Sequence, residues 1–375
     1  MAVQTTWEWE TIDREKQYKL LVSWKAPCAS PDVAGADKMK EQEKRNEQLK
    51  ELSVVSETPF KEPVCSVVPM DFYEEALCVG VWFMFFGYML YTPLYLLFLL
   101  YSDPRKALQL VLLLAILSVS TRKFFRPNDC RSYLSGLMLK YFSHTGLWKE
   151  NLPMDRPSII VGPPHGVFPF GSFLACISIP RITGCVVRGL AANALLRIPF
   201  IGARLAALGL VDASRDNARK MLLDNWSLGI SSGGIAEIFE TCRFEGGEGC
   251  ETIILKSRGG ICKLALETGA YLVPSYIFGN TLCLHVWSDP WGIMRSVSRR
   301  LRISICFFTG RFGLPIPYRT PILGVLGAAI VVPKTENPPP EMVQSLLDKL
   351  CADIHALFEL HKAAYGWQNV KLVIK

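Results

Sequence analysis

From Ala76 to Tyr101 the chain carries no charged residue, and that stretch limits the possible folds more than any other. At about 1.5 Å per helical residue it is long enough to cross a hydrocarbon layer of about 30 Å. It predicts a membrane helix, with Thr92-Pro93 as a place where that helix could kink. After the polar break Ser102-Asp-Pro-Arg-Lys106 comes a second apolar run, Ala107 to Ser120. That run is too short to span comfortably and suits the returning limb of a hairpin. Arg122, Lys123, Arg126 and Arg131 follow, and the basic bias of cytosolic flanks places the downstream domain in the cytosol. The upstream flank holds Asp71, Glu74 and Glu75, so the rule speaks for one end only.

Half of the 375 residues are hydrophobic and 20% are charged, enough to bury one large core or two smaller ones with apolar surface left over. A net charge of +7 suits an anionic membrane surface or a phosphorylated substrate. No lysine and arginine stripe interleaved with aromatics occurs, so nucleic acid is not expected as a partner. The 12 cysteines run from Cys28 to Cys351 with neither a CxxC pair nor zinc spacing; they read as reduced thiols, and no metal site is expected. Met1 to Arg14 includes Glu8, Glu10 and Asp13 and lacks the apolar core of a secretory signal.

Three regions result. Residues 1–70 read as a polar, disordered appendage dominated by the alternating charges of Asp37 to Glu51. Residues 71–126 form the membrane-embedded hairpin, and 127–375 a cytosol-facing domain. In that domain Tyr133, Leu134, Leu137, Met138, Tyr141 and Phe142 make the stripe of an amphipathic helix, facing either a core or the bilayer. From Pro157 strand-like and helix-like stretches alternate, which argues an α/β domain with a mixed central sheet flanked by helices. Gly184 to Leu190, Leu208 to Val211, Leu228 to Ser231, Thr252 to Leu255, Ala270 to Phe278 and Arg302 to Phe308 are the further sheet candidates. Helices are expected over Ala192 to Leu208, from the cap Ser214 to Leu223, and over Pro339 to Tyr365 as one long helix or a pair.

Ser158-Ile-Ile-Val161, bounded by Pro157 and Gly162, has the look of a fully buried strand. His165 therefore lies just past a strand's C-terminal end, where open α/β sheets bind ligands. A lone histidine in an apolar segment is more often a hydrogen-bonded core residue than a catalyst. The other four, His144, His285, His355 and His361, stand in less suggestive places.

Lys256 to Gly269 follows a strand and opens a helix. Its basic residues and glycines at a helix N-terminus would suit an anion, with Arg258 and Lys263 holding phosphates. A competing motif is Gly229-Ile-Ser-Ser-Gly233, the GxSxG pattern of a hydrolase elbow. There Ser231 would be the nucleophile, with Asp289 or Asp348 and His355 or His361 as partners.

Pro164-His165-Gly166, Gly233-Gly-Ile-Ala-Glu237, Arg258-Gly-Gly-Ile-Cys-Lys-Leu-Ala-Leu266, Gly269-Ala-Tyr-Leu-Val-Pro274, Phe278-Gly279, Val332-Pro-Lys334 and His361-Lys-Ala-Ala-Tyr-Gly366 follow one another in a characteristic order and approximate spacing. In that, the chain from Pro69 onward resembles the type 2 diacylglycerol acyltransferase family, which includes monoacylglycerol and wax-ester acyltransferases. The resemblance implies a glycerolipid-acyltransferase-like fold and an endoplasmic-reticulum enzyme, with lipid droplets as a second location. It also implies transfer of a fatty acyl group from acyl-CoA, as co-substrate, to the hydroxyl of a neutral lipid acceptor. The sequence departs from the family pattern in four places: Pro163 stands where a first histidine is common, Tyr141-Phe142-Ser143 stands for a Tyr-Phe-Pro motif found in many members, and Gly260 and Asn280 stand where an aromatic and an acidic residue are common. The His-x4-Asp pattern of enzymes acting on phosphorylated glycerol is absent, Phe170 being the fifth residue after His165.

The chemistry suits these residues. A neutral imidazole can take the proton of a hydroxyl near neutral pH, so His165 is the expected base. A thiol with a pKa of about 8.5 leaves without a strong acid, so no protein serine is required as a covalent relay; no cofactor is expected beyond the acyl-CoA co-substrate. Glu237 is expected to orient His165 or hold the acceptor. Gly166, Gly233 and Gly234 would donate backbone N–H groups to the oxyanion, and Asn193 and Arg197 would line the pocket. The most direct expectation is diacylglycerol to triacylglycerol. The alternatives are a monoacylglycerol or long-chain alcohol acceptor, a membrane serine hydrolase using Ser231, and a non-enzymatic lipid-binding scaffold. A homo-oligomer is compatible with all of them.

Overall fold

The structure is a computed structural model, and it describes residues 8–13, 17–25, 48, 51, 53–120, 125–126, 129–130, 132–149, 151–183, 185–240, 249–287, 289, 291–301 and 306–375. Most of Asp37 to Glu51, with Arg122, Lys123, Arg131 and residues 302–305, lies outside that set. Strands are β1 Tyr18–Val22, β2 Val54–Ser56, β3 Thr145–Trp148, β4 Ser158–Val161, β5 Val187–Ala191, β6 Val211–Asp212, β7 Ser227–Ile230, β8 Gly249–Ile253, β9 Tyr271–Phe278, β10 His285–Val286, β11 Phe308–Thr309, β12 Leu323–Leu326 and β13 Val370–Ile374. Helices are α1 Phe72–Ser102, α2 Pro104–Ser120, α3 Tyr133–Tyr141, α4 Phe170–Thr183, α5 Asn193–Leu196, α6 Ile201–Ala207, α7 Arg215–Leu223, α8 Ile235–Ile238, α9 Gly259–Thr268, α10 Ile293–Leu301 and α11 Pro340–Tyr365.

Nine strands form one mixed sheet in the order β2-β1-β3-β12-β9-β4-β7-β5-β6. The stretch β9-β4-β7-β5-β6 is parallel throughout. Every residue of β4 and β9 is buried, as a strand covered on both faces requires. On one face Leu346, Leu350, Ile354 and Phe358 of α11 pack with Ala265 of α9 against Leu272, Tyr276 and Phe278. On the other, α4 supplies Leu174 and Ile177 to a second core with α3 and α1.

Two expected sheet strands belong elsewhere. The strand foreseen at Thr252 to Leu255 is β8, which pairs in parallel with β13, and the described end of Arg302 to Phe308 lies in β11, which pairs with β10. A short apolar run specifies a strand, but its partner is chosen by tertiary packing. Ala192 to Leu208 is not one helix but α5 and α6, since Pro199 lacks an N–H and keeps Ile198 out of the helical region. The polar first region also contributes to the fold, because Leu20 and Leu21 of β1 are buried and β1 runs antiparallel to β3. Pro340–Tyr365 is one continuous helix.

The start of α1 is fixed by Asp71, whose carboxylate accepts from the Glu74 N–H at 2.9 Å within a reciprocal capping box. The two glutamates of this upstream flank are paired inside the protein: Glu74 with Lys140 at 2.5 Å, and Glu75 with Arg311 at 2.6 Å and Arg319 at 2.9 Å. Burial along α1 is uneven. Cys78, Trp82 and Phe86, spaced by four residues on one helix face, are buried against the domain that follows; beyond Gly87 only Leu99 is buried. Trp82 meets Phe170 at a centroid distance of 5.3 Å, and Phe86 meets Phe168 at 5.6 Å. The second limb returns to the same domain, where the Ser118 hydroxyl donates to the Arg197 carbonyl at 2.6 Å. Among the described residues α1 is the one helix long and apolar enough to cross a membrane. The α3 stripe faces the core from Leu137 onward, with Leu137, Met138, Tyr141 and Phe142 buried, while Tyr133 at its start is exposed.

Candidate active site

The strand order builds the site. Because β9, β4 and β7 are adjacent and parallel, their C-terminal ends share one edge of the sheet, and the segments leaving them must meet there. His165 comes four residues after β4 ends, Glu237 seven after β7, and Asn280 two after β9. The crevice expected above the strand ends is therefore populated from three sides.

The His165 ring is partly buried, and its Nδ1 lies 2.9 Å from the Gly166 carbonyl oxygen. A carbonyl can only accept, so Nδ1 carries the proton and Nε2 keeps its lone pair. Burial, followed by the charge of Arg258, holds the imidazole's pKa below its usual value against the pull of the Gly166 carbonyl. The ring is thus neutral near neutral pH, the state a base needs.

Glu237 is completely buried. One carboxylate oxygen accepts the backbone N–H of His165 and the other accepts the Ile254 N–H at 2.7 Å. It therefore fixes the main chain at His165 and does not touch the ring. Burial pushes its pKa up to about 7, opposed by those two N–H groups and by Arg258. Gly233 is required by this arrangement, because a Cβ there would fall 2.0 Å from the Glu237 Cδ. Arg258 donates to the Gly233 carbonyl at 2.7 Å, which brings Arg258, Gly233, Glu237 and His165 into one assembly. Gly234 adopts φ +58° as the cap of α8.

Two further residues belong to the assembly, and neither was picked out from the sequence as part of a site. Asn280 stood out there only as a departure. Its side-chain nitrogen donates to the carbonyls of His165 at 2.9 Å, Pro164 at 3.2 Å and Phe168 at 3.4 Å, while its oxygen accepts the Gly171 N–H at 2.9 Å. The same nitrogen lies 2.9 Å from where a Cβ on Gly166 would stand, and Gly166 has φ +59°. Glu251 is a second buried carboxylate: Tyr276 donates to one oxygen and Thr281 to the other, the latter at 2.6 Å. Its pKa is also pushed up to about 7, mainly by burial, with the neighbouring charge of Glu237 adding to the rise.

The remaining candidates stand apart. Asn193 and Arg197 are exposed on the α5 segment, where Leu196 packs with Phe85, Tyr88 and Met89 of α1. Lys263 is exposed on α9. The hydrolase elbow finds no partners. Ser231 Oγ is buried without a hydrogen bond among the described residues, His355 is exposed, and His361 is buried edge-on against Tyr18 at 5.6 Å. Asp289 accepts from the Arg295 N–H, and Asp348 from Gln344. No cluster of metal-binding side chains occurs among the described residues.

A family model described as diacylglycerol acyltransferase matches residues 88–375. Diacylglycerol O-acyltransferase 2-like protein 6 from Bos taurus is 32% identical over 235 residues, 56% of this chain and 67% of that protein. Acyl-CoA wax alcohol acyltransferase 1 from Mus musculus is 30% identical over 254 residues, 62% of this chain and 75% of that protein. The solved 1-acyl-sn-glycerophosphate acyltransferase from Thermotoga maritima covers 76% of this chain and 97% of its own, at 17% identity and a TM-score of 0.36, a likeness too loose to build on.

Proposed function

The chain belongs to the diacylglycerol acyltransferase family and is an acyltransferase; from that premise we propose that it esterifies a neutral lipid hydroxyl from acyl-CoA, with His165 as the base. The observation that carries this reading is the Nδ1–Gly166 bond, which leaves Nε2 free to take a proton at the sheet edge where three loops converge. In the proposed step Nε2 removes the hydroxyl proton as the alkoxide oxygen attacks the thioester carbonyl. The tetrahedral intermediate collapses, the C–S bond breaks, and the imidazolium returns its proton to the CoA thiolate. Backbone N–H groups near Gly166, Gly233 and Gly234 are our candidates for the oxyanion, and Arg258 for a CoA phosphate with Lys263 further out. No cofactor is required beyond the acyl-CoA co-substrate.

Diacylglycerol is the acceptor we favour, giving triacylglycerol. A long-chain alcohol is the second, on the 30% identity to a wax alcohol acyltransferase. We further propose that α1 and α2 form a hairpin embedded in the endoplasmic reticulum membrane, with the domain from 127 to 375 on the cytosolic side. That both outer ends of the pair bond to the same domain, Glu74 to Lys140 and Ser118 to Arg197, supports the hairpin over a single crossing.

Microsomes carrying His165→Ala should lose ester synthesis by about 10²–10⁴-fold. Ser231→Ala should keep it, and the reverse pattern would favour the hydrolase. A panel of diacylglycerol, monoacylglycerol and long-chain alcohol then decides the acceptor.

A further inference from the structure

Immediately after Asn280–Leu282 the chain leaves the sheet and returns only at β12, and the intervening excursion is unusually apolar on its outside. Trp291 is 79% exposed, Phe312 73%, and Trp287, Ile293, Val297 and Phe307 are exposed as well. In α10, Ile293 and Val297 stand four residues apart on one outward face, while Ser298 is fully buried. Arg295 is tied back to Glu240 at 2.8 Å. So many large aromatic side chains in one short segment mark a contact surface.

Charge and position say what covers it. Between His285 and Arg319 the sequence has six arginines and one acid, Asp289. Arg295, Arg311 and Arg319 are paired with Glu240 and Glu75, and Arg300 is exposed near the end of α10. A basic amphipathic helix preceded by exposed tryptophans, here Trp287 and Trp291 just ahead of α10, is the composition of an interfacial element on anionic lipid. The excursion is also joined to α1. Phe308 meets Phe86 at 5.5 Å, and Leu284 and Ile316 share a buried cluster with Trp82. That junction lies where the buried stretch of α1 ends and its exposed apolar stretch begins.

We propose that the exposed apolar side chains of 287, 291–297 and 307–312 form a second membrane contact, separate from the hairpin. In it Trp287, Trp291, Ile293, Val297, Phe307 and Phe312 enter the headgroup–acyl boundary of a bilayer while Arg300 meets a lipid phosphate. The proposal rests on reading α1 and α2 as the membrane hairpin. Because the excursion starts beside Asn280, it sets the His165 edge of the sheet against the lipid boundary, so an acceptor lipid reaches the site sideways from the bilayer.

The test uses the full chain reconstituted in vesicles of phosphatidylcholine and phosphatidylserine with the lipid tails brominated near the headgroup. Subtracting the fluorescence of Trp291→Phe, an exposed and conservative change, isolates Trp291. Its emission should fall by about half or more with brominated lipid and be shielded from aqueous acrylamide, as for an interfacial tryptophan. Quenching by acrylamide but not by brominated lipid would show a water-facing surface. Protection from both would show a protein partner such as a second copy, and either result overturns the proposal. Protein that floats with the vesicles while Trp291 stays unquenched sinks this inference alone; protein that does not float sinks the hairpin with it.

Discussion

Glu237 accepts the backbone N–H of His165 with one carboxylate oxygen and the N–H of Ile254 with the other, so a residue after β7 sets the main chain of the residue after β4. The arrangement differs from a carboxylate that orients an imidazole through its ring. Here the ring takes its tautomer from Gly166, next door in sequence, and the carboxylate determines where that pair sits.

Removing Glu237 should therefore be felt in the fold as well as in the rate. Glu237→Ala leaves two buried N–H groups unpaired, at about 1–3 kcal/mol each, and should lower the melting temperature clearly. Glu237→Gln keeps one acceptor oxygen and should fold, yet lose about tenfold in kcat, the equivalent of roughly 1.4 kcal/mol, with KM for acyl-CoA little changed. Steady-state acyl transfer with unaltered kcat would refute the positioning role.

Asn280 holds the same loop from the β9 side. In Asn280→Asp a carboxylate oxygen replaces the amide nitrogen and faces the carbonyls of His165, Pro164 and Phe168, turning attraction into repulsion. A loss of about 1–3 kcal/mol of loop stability and a roughly 10- to 100-fold drop in rate are expected. Protease sensitivity between 164 and 171 should rise together with the loss of activity, and a fall in rate without it would argue for direct contact with substrate.

The pH dependence follows from two opposite shifts. His165 titrates below 6.5, so the acidic limb of kcat/KM should lie below pH 6.5 and activity should be level above it, since the base must be neutral. Glu237 and Glu251 are raised from 4.5 to about 7, so between those values the native state binds more protons than the unfolded one. Their contribution to stability is therefore fully present below pH 4.5 and is lost as pH rises through 7. Glu251→Gln should flatten that decline, as read by denaturation across pH 5 to 8.

Glu75 bridges Arg311 and Arg319 at the mouth of α1, with all three side chains largely buried. Glu75→Gln leaves two partly buried guanidinium groups short of a counter-charge. The protein in detergent should lose about 2–4 kcal/mol of stability. An unchanged thermal midpoint would count the pair as surface decoration.

Much of this site could be read from local sequence. The short apolar run at Ser158 to Val161 marked a buried strand, and the residues just past it, past β7 and before α9 supplied His165, Glu237 and Arg258. Which of those residues touch each other could not be read, because that depends on β9, β4 and β7 being neighbours, and strand order is a long-range property. Asn280 was visible only as an odd residue: an asparagine's role lies in which carbonyls surround it, and those belong to another loop. Glu251 was hidden for the same reason, since β8 resembles any half-polar edge strand until Tyr276 and Thr281 close around its carboxylate. Lys263, Asn193 and Arg197 are exposed, and no side-chain hydrogen bond among the described residues ties them to the assembly.

The embedding of Trp82 and Phe86 among Phe142, Phe168 and Phe170 means that α1 and the domain bearing His165 are not modules that scissors can part. A truncation beginning after Arg126 would leave an open aromatic socket directly beneath the loop that presents His165. Such a fragment should be recovered as aggregate, and supplying residues 70 to 90 on a separate peptide should do more for it than any detergent.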